Sequence, residues 1–389
     1  MLIGQDITIM GGGIGGFAAA CALSQRGAKV TVLEQAPELG EVGAGLQISP
    51  NGVRVLDALG LGEAARSRST RSRGVWLRDG VTGREVIDLD LGRLRPDETW
   101  LLFHRADLLD VLVQGARHLG VTIETGVRVE RVELTESRPV LHIEGEGPRV
   151  VDFLVGADGL HSVLRPELNG KREPFFTGQI AWRALVPATG REEAEASVYM
   201  GPGRHLVTYP LRQGQVVNLV AVEERSDWAA EGWFHKDDPA NLMKAFEGFC
   251  QDARDVLSRV EEVHVWGLHR HPVAIEWHRG ATALLGDAAH PTLPFMAQGA
   301  VMALEDAWVL ADSLAVQGMQ DGPALYQARR RTRVTRVIEA ANKNARNYHY
   351  GNPVAKLLGH GVLRIANRLA PQKVLERFDW IYNHDVTKE

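Results

Sequence analysis

The feature that most constrains this chain is a glycine turn set between an apolar strand and an apolar helix. Ile7, Thr8, Ile9 and Met10 read as a parallel strand buried on both faces. Gly11, Gly13 and Gly16 follow as G-x-G-x-x-G, with Ile14 and Gly15 inside the motif, and Phe17, Ala18, Ala20, Cys21 and Leu23 carry a helix to Gly27. The first glycine permits a tight turn, the second lets backbone approach a pyrophosphate, and the third lets the helix pack closely. The N–H groups at the helix start then face an anion. Lys29 to Leu33 form a second strand that ends in Glu34, followed by Gln35. The Glu34 carboxylate suits a ribose diol and repels a 2′-phosphate. In this context the motif reads as a dinucleotide site that does not choose between NAD and FAD. The plain alternative is a glycine-rich turn in a nucleotide-free α/β domain.

A chain of 389 residues with 44% apolar content can bury a large core and suggests two joined domains. A net charge of −5, with no long single-sign run, argues against nucleic acid as a partner. The N-terminus passes at once into a strand, so no signal peptide is expected. No charge-free apolar run reaches about 18 residues, so neither a transmembrane helix nor a membrane partner is expected. Two cysteines, Cys21 and Cys250, fit a cytoplasmic protein with ordinary thiols. No His/Cys/Asp/Glu cluster has metal-ligand spacing, so no metal is proposed.

Gly40 to Asn51 reads as a glycine-rich loop, followed by a helix bearing Val53, Leu56, Leu59 and Leu61. Residues 74–91 read as a β-hairpin around Asp79-Gly80. Phe103-His104-Arg105 begins a helix running to His118, and strands follow at 121–124 and 127–134. A strand from Asp152 ends at Asp158-Gly159, before a helix with Ser162 in its first turn. Asp158 is placed either to bond a ligand or to form the turn and cap the helix. Residues 175–225 and 260–275 alternate apolar and polar as an antiparallel sheet does, with a helix over 239–259 between them. The expected class is α/β: a Rossmann-like domain (1–73, 100–174 and 276–350), an inserted, mostly antiparallel β-sheet domain (74–99 and 175–275), and a C-terminal helical segment (351–389) broken at Pro353 and Pro371. In that segment Leu357, Leu358, Val362, Leu363, Ile365 and Leu369 are expected to pack on the body or on a partner.

A second motif lies in ALLGDAAHPTLPFMAQGAVMALEDAW. Thr282 to Leu285 form a buried strand that ends at Gly286-Asp287, where Asp287 can bond a ribityl hydroxyl. His290-Pro291 and Pro294 stiffen a loop. Gln298-Gly299-Ala300 opens a helix with Leu304, Ala307, Trp308 and Ala311 on one face and Glu305, Asp306 and Asp312 on others. Such a helix start favours the negative edge of a reduced flavin. The two motifs together point to FAD.

These residues resemble a known family. GGGIGG with Glu34, HRADL, GADG and GDAAHP…QGA are similar to the class A flavoprotein aromatic hydroxylases, nearest the salicylate hydroxylase, 3-hydroxybenzoate 6-hydroxylase and 6-hydroxynicotinate 3-monooxygenase group. The resemblance runs from Ile7 through RFDWIYNHD. It implies one tightly bound FAD, visited transiently by NADH or NADPH, so a second G-x-G-x-x-G is not expected; the sequence contains none. Arg105 matches an arginine at the FAD pyrophosphate and ribityl region. Asp158 matches a residue tied to both FAD and NAD(P)H, and Asp287 matches the ribityl ligand. Gly299 and Ala300 match backbone donors to the flavin, and Gln35 stands where many relatives have arginine. A homodimer fits the resemblance.

The resemblance also implies a small phenolic aromatic acid and dioxygen as reactants, joined through a flavin C4a-hydroperoxide that attacks an electron-rich ring. Removing the phenolic proton needs a base with a pKa near the working pH. His205 and Tyr209 are four apart, so on a strand they share a face, and a histidine and tyrosine of this spacing face the ring in related enzymes. Gln298 matches a glutamine that holds the phenolic oxygen, and Pro294 joins these as a candidate substrate contact. The plain alternatives are a hydrogen-bonded strand histidine and a core tyrosine. Arg183 and Arg204 are candidate partners for the substrate carboxylate. Trp182, Trp228, Trp233 and Trp266 line an apolar pocket or pack the core. Two other functions stay open: an FAD oxidoreductase acting on a urate-like ring, a fused ring or a quinone precursor, and a non-catalytic binding protein of the same fold.

Overall fold

The computed structural model describes residues 1–40, 45–135, 138–225, 235–349 and 353–389. Five parallel strands form the first sheet, in the order Thr282–Leu284, Leu154–Gly156, Asp6–Met10, Lys29–Glu34, Thr122–Thr125. The central strand is the apolar run before the glycine turn. All these strands point the same way, so Gly11, Glu34, Asp158 and Asp287 converge on one edge, although the chain between the first and last of them is some 270 residues long. The crevice beyond the carboxyl ends of such strands is where a doubly wound sheet binds ligand. The helix Ile14–Ser24 has no polar face, since tertiary structure covers it all round. It packs on the helix Arg105–His118 and on the helical run from Gly299.

The second sheet has eight strands: Lys236–Asp237, Val263–Arg270, Phe175–Pro187, Val216–Glu224, Arg204–Leu211, Glu195–Gly201, Gly74–Asp79 and Glu85–Asp90. All pairs are antiparallel except Glu195–Gly201 with Gly74–Asp79. The hairpin from residue 74 therefore joins a sheet whose other strands begin about a hundred residues later. At its turn Asp79 Oδ1 accepts the N–H groups of Val81 and Thr82. One face of this sheet buries Trp182, Leu206, Phe246 and Phe249 beneath two short helices, Pro239–Ala245 and Gln251–Leu257. The other face buries Ala181, Val220, Val222 and Trp266 against Leu293 and Phe295, which come from the loop of the second motif.

The helical run Gly299–Tyr348 is two helices that meet at Gly318, where φ 78° and ψ 178° leave the helical region. Helices Pro353–Leu369, Pro371–Glu376 and Asp379–Tyr382 complete the chain. Pro353 and Pro371 start helices, because a first-turn residue needs no N–H bond. Leu363 packs on the hairpin beside Val86, whereas Val362, Ile365 and Leu369 face outward; the side chains of Leu357 and Leu358 lie outside the described residues. Among the described residues no helix is long and apolar enough to cross a membrane.

Four local readings are corrected. Within the expected loop Gly40–Asn51, Gly45–Ile48 is a strand that pairs antiparallel with Leu101–His104, while residues 41–44 lie outside the described residues. Phe103 and His104 belong to that strand, so the following helix starts at Arg105. Distant pairing overrode helical periodicity there. The expected helix over 239–259 breaks at residues 246–250. After Asp158 the chain turns before the short helix Arg165–Asn169, and Ser162 Oγ accepts the Arg165 N–H.

Candidate active site

The glycine turn is built by exclusion. Gly11 has φ +110°, and a Cβ there would collide with the Ala157 carbonyl. A Cβ on Gly16 would fall on the Gly11 carbonyl oxygen. At Gly13, by contrast, a Cβ would meet no protein atom within 4 Å. The helix that starts at Ile14 has no side-chain cap and no acidic residue in its first turn, so its positive end is open. Glu34 is held at the end of its strand by two backbone donors: the Gly12 N–H to Oε2 at 2.7 Å and the Ala36 N–H to Oε1 at 2.8 Å. Gln35 beside it is exposed.

The second motif meets this turn directly. A Cβ on Gly15 would come within 2.7 Å of Leu285 and 3.2 Å of Ala303. Asp158 and Asp287 stand at the ends of two paired strands, in the register Gly156 to Leu284. Asp158 Oδ2 accepts the Val163 N–H at 2.8 Å, and its Oδ1 is shielded from solvent without a hydrogen-bond partner. Burial pushes this carboxyl up to about 6, against the hydrogen bonds that favour its charge. Burial raises the Asp287 carboxyl, and the charges of His290 and of Arg105, at the first turn of its helix, oppose that rise. Gly299 and Ala300 begin the next helix, just after Ala297, which is held at φ 52°. An open glycine, an uncapped helix and a shielded carboxylate oxygen without a partner fit the phosphates and polyol of a flavin dinucleotide.

Sequence reasoning missed the supports of this crevice. Glu305 and Asp306 were expected off the apolar face of their helix; both are fully buried. Asp306 holds His290 Nε2 at 2.5 Å, Arg330 Nε at 2.7 Å and the Gly286 N–H at 3.2 Å. Glu305 pairs with Arg330 at 2.7 Å and Arg333 at 2.8 Å, and accepts Asn51 Nδ2 at 2.7 Å. Burial alone would raise the Glu305 carboxyl, but Arg330 and Arg333 bring it down to about 2. Buried carboxylates are tolerated only when paired in this way. His290 is thereby fixed against Trp277, with ring centroids 5.1 Å apart, and serves loop geometry. The available signal was Arg330 and Arg333 spaced i, i+3 on a later helix.

Gln298 belongs to the same network. Its Nε2 donates to Ser49 Oγ at 2.9 Å, and its Oε1 accepts Asn51 Nδ2 at 3.1 Å. Among the described residues no hydrogen bond joins it to His205 or Tyr209. Pro294 is exposed, while its neighbours Leu293 and Phe295 turn inward onto the sheet.

His205 and Tyr209 lie on that inner sheet face, opposite Val222 and Asn218 of the next strand. His205 is 2% exposed. Its ring lies 5.6 Å from Phe295 and 5.3 Å from Tyr348, and its Nδ1 is 2.6 Å from His349 Nε2. Burial and His349 hold its pKa well below the ordinary histidine value. Tyr209 and Asn218 pack under Gly45, whose N–H donates to Asn218 Oδ1 at 2.6 Å. Any Cβ on Gly45 would strike Tyr209, so glycine there permits the close approach. Arg183 is on the same face and lies over the Trp266 ring at 4.7 Å. Arg204 is on the opposite face, paired with Glu223 at 3.1 Å, and Trp182 packs the core there; Trp228 and Trp233 lie outside the described residues.

The chain is similar to known proteins along nearly its whole length. The FAD binding domain family matches residues 5–341. The 3-hydroxybenzoate 6-hydroxylase of Polaromonas naphthalenivorans (strain CJ2) is 34% identical, over 98% of this chain and 96% of its own. A salicylate hydroxylase of Pseudomonas putida is 33% identical, over 99% and 93%. The crystal structure of Klebsiella pneumoniae HpxO complexed with FAD and uric acid superposes with a TM-score of 0.84 at 25% identity, over 95% of each chain. The chain belongs to the FAD binding domain family and is a flavoprotein monooxygenase of the aromatic hydroxylase type.

Proposed function

We propose that this enzyme hydroxylates a small phenolic aromatic acid of the 3-hydroxybenzoate, salicylate or 6-hydroxynicotinate type, consuming dioxygen and NADH or NADPH. The observation that carries this reading is a buried histidine facing the loop of the second flavin motif, with one ring nitrogen already engaged. Nδ1 of His205 is committed to His349, so Nε2 is the nitrogen left to take a phenolic proton. Bound FAD would supply the redox chemistry, accepting two electrons from the nicotinamide and activating dioxygen for transfer of one oxygen atom to the ring.

The chain's own residues do the rest. Glu34 would hold the ribose diol, and the backbone at Gly11, Gly13, Ile14, Gly15 and Gly16 would hold the pyrophosphate. Arg105, Asp158 and Asp287 would hold the ribityl region, and Gly299 and Ala300 would present N–H groups to the flavin. His205 accepts the phenolic proton, which makes the ring electron-rich. Tyr209, Gln298 and Pro294 bound the substrate space, and Arg183 is the cation for the carboxylate. Val220, Val222, Trp266, Leu293 and Phe295 keep water from the reacting atoms.

A second reading, oxidation of a urate-like ring, is favoured by the likeness to HpxO with uric acid. The phenolic reading is preferred because it matches relatives of higher identity along nearly the whole chain. The test is a panel of hydroxybenzoates, hydroxynicotinates and urate, scored by NADH and NADPH oxidation with product mass. A phenolic acid that stimulates oxidation and gains one oxygen atom supports the first reading; stimulation by urate alone overturns it. A cytoplasmic location and a homodimer are further proposals, tested by cell fractionation and by light scattering of the purified holoenzyme.

A further inference from the structure

His205 does not end at its neighbour. Its Nδ1 meets His349 Nε2 at 2.6 Å, and His349 Nδ1 meets Glu224 Oε1 at 2.7 Å. His205 and His349 are buried, whereas the Glu224 side chain is 52% exposed. Glu224 also lines a surface hollow of about 340 Å³ with Thr177, Gly178, Gln179 and Arg225. The three groups come from three places in the chain: the strand Arg204–Leu211, the residue just after the helical run Gly299–Tyr348, and the strand Val216–Glu224. We propose that His349 and Glu224 form a proton relay that carries the substrate's phenolic proton from His205 to solvent.

The relay has a defined direction. Ionised Glu224 accepts a hydrogen bond from His349 Nδ1–H, so neutral His349 carries its lone pair on Nε2. That lone pair accepts from His205 Nδ1–H, which leaves the lone pair of neutral His205 on Nε2, toward the substrate. When Nε2 takes the phenolic proton, Nδ1 passes its own proton to His349 Nε2. His349 then releases its Nδ1 proton to Glu224, and from there it reaches water. One proton enters and one leaves, so neither imidazole holds a lasting charge. This matters because burial makes an imidazolium costly at His205, and a lone buried base would hold the proton poorly.

The surrounding charges suit this assignment. Burial and Arg204 disfavour the charged form of His349, against the pull of Glu224. Arg204 and Arg225 are both paired with Glu223, each at 3.1 Å. Phe295 and Tyr348 bring rings against His205, not charges.

This proposal rests on His205 as the base, and the experiment separates the two. The probe is 3-hydroxy-4-nitrobenzoate, whose phenolate absorbs visible light, mixed with the FAD-loaded enzyme in stopped flow. The rate at which bound phenolate appears is followed from pH 6 to 9. Glu224→Gln and His349→Gln should each slow this rate at least about tenfold and change its pH dependence, and Glu224→Asp should restore most of it. Glu224 is exposed, so its variants report even where a His349 variant folds poorly. If His205→Gln slows the rate while the Glu224 and His349 variants match the parent, the relay is wrong and the base survives. If His205→Gln has no effect either, both fail.

Discussion

At the nucleotide end of the crevice, Gly11, Gly13 and Gly16 contribute no side chain at all; what they present is backbone N–H groups and empty space. At the proposed substrate end, His205 meets His349, 144 residues away, which in turn meets Glu224 of a neighbouring strand. The first arrangement is made mostly within thirty-odd residues by backbone sterics, with the Ala157 carbonyl closing over Gly11 from a paired strand. The second exists only after three elements have packed. The difference teaches that a backbone-built site is set by local spacing, whereas a side-chain-built site is set by register and docking.

Substitutions test this contrast, and the largest effect is expected at Gly16. In Gly16→Val the new Cβ meets the Gly11 carbonyl oxygen, so the turn cannot close; a loss of about 4 kcal/mol or more is expected, with no flavin retained. Thermal unfolding and the 450 nm absorbance of the purified protein read both. In Gly13→Val the fold should survive, since the new side chain enters open space, while the pyrophosphate is blocked. A normal flavin spectrum in that variant would sink the phosphate-turn assignment.

Next comes the buried network, where Arg330→Met leaves Glu305 and Asp306 short of their shared cation. The expected loss is about 3–5 kcal/mol, read by urea unfolding. The same network predicts a pH dependence. The Glu305 carboxyl lies at about 2 in the fold, below its ordinary value of 4.5. Its contribution is therefore complete above about pH 4.5 and is lost as pH falls toward 2. Glu305→Gln should flatten the fall in the urea midpoint between pH 5 and 3.

At the substrate end, His205→Ala should retain FAD but lower product formed per NADH, with hydroxylation slowed about a hundredfold. An unchanged yield across pH would remove His205 from the mechanism. The smallest effect is expected at exposed Gln35, where Gln35→Ala should alter FAD affinity by about 0.5 kcal/mol or less, measured by flavin fluorescence titration.

Much of the crevice was legible. Strand, turn, helix, strand and Glu34 follow one another within local spacing, and Asp158 and Asp287 each end an apolar strand that any ordering of a parallel sheet would bring to the same edge. Glu305 and Asp306 were misread because helical periodicity sorts residues by polarity, and a buried carboxylate paired with a distant arginine looks like a solvated one. Phe103 and His104 were read as helix because their strand partner, Gly45–Ile48, lies far upstream. Gln298 was read as a substrate contact; that its amide also hydrogen-bonds Ser49 and Asn51 is something no spacing could reveal.

The sequence by itself determined the dinucleotide turn, the second flavin motif and the alternation that puts His205 and Tyr209 on one sheet face, because each depends on neighbours a few residues apart. Only the tertiary structure decided which groups those side chains meet. Arg330 reaches Asp306, and His349 reaches His205, through packing of helices onto sheets. Such contacts follow from the shapes of buried surfaces, and no local period encodes them.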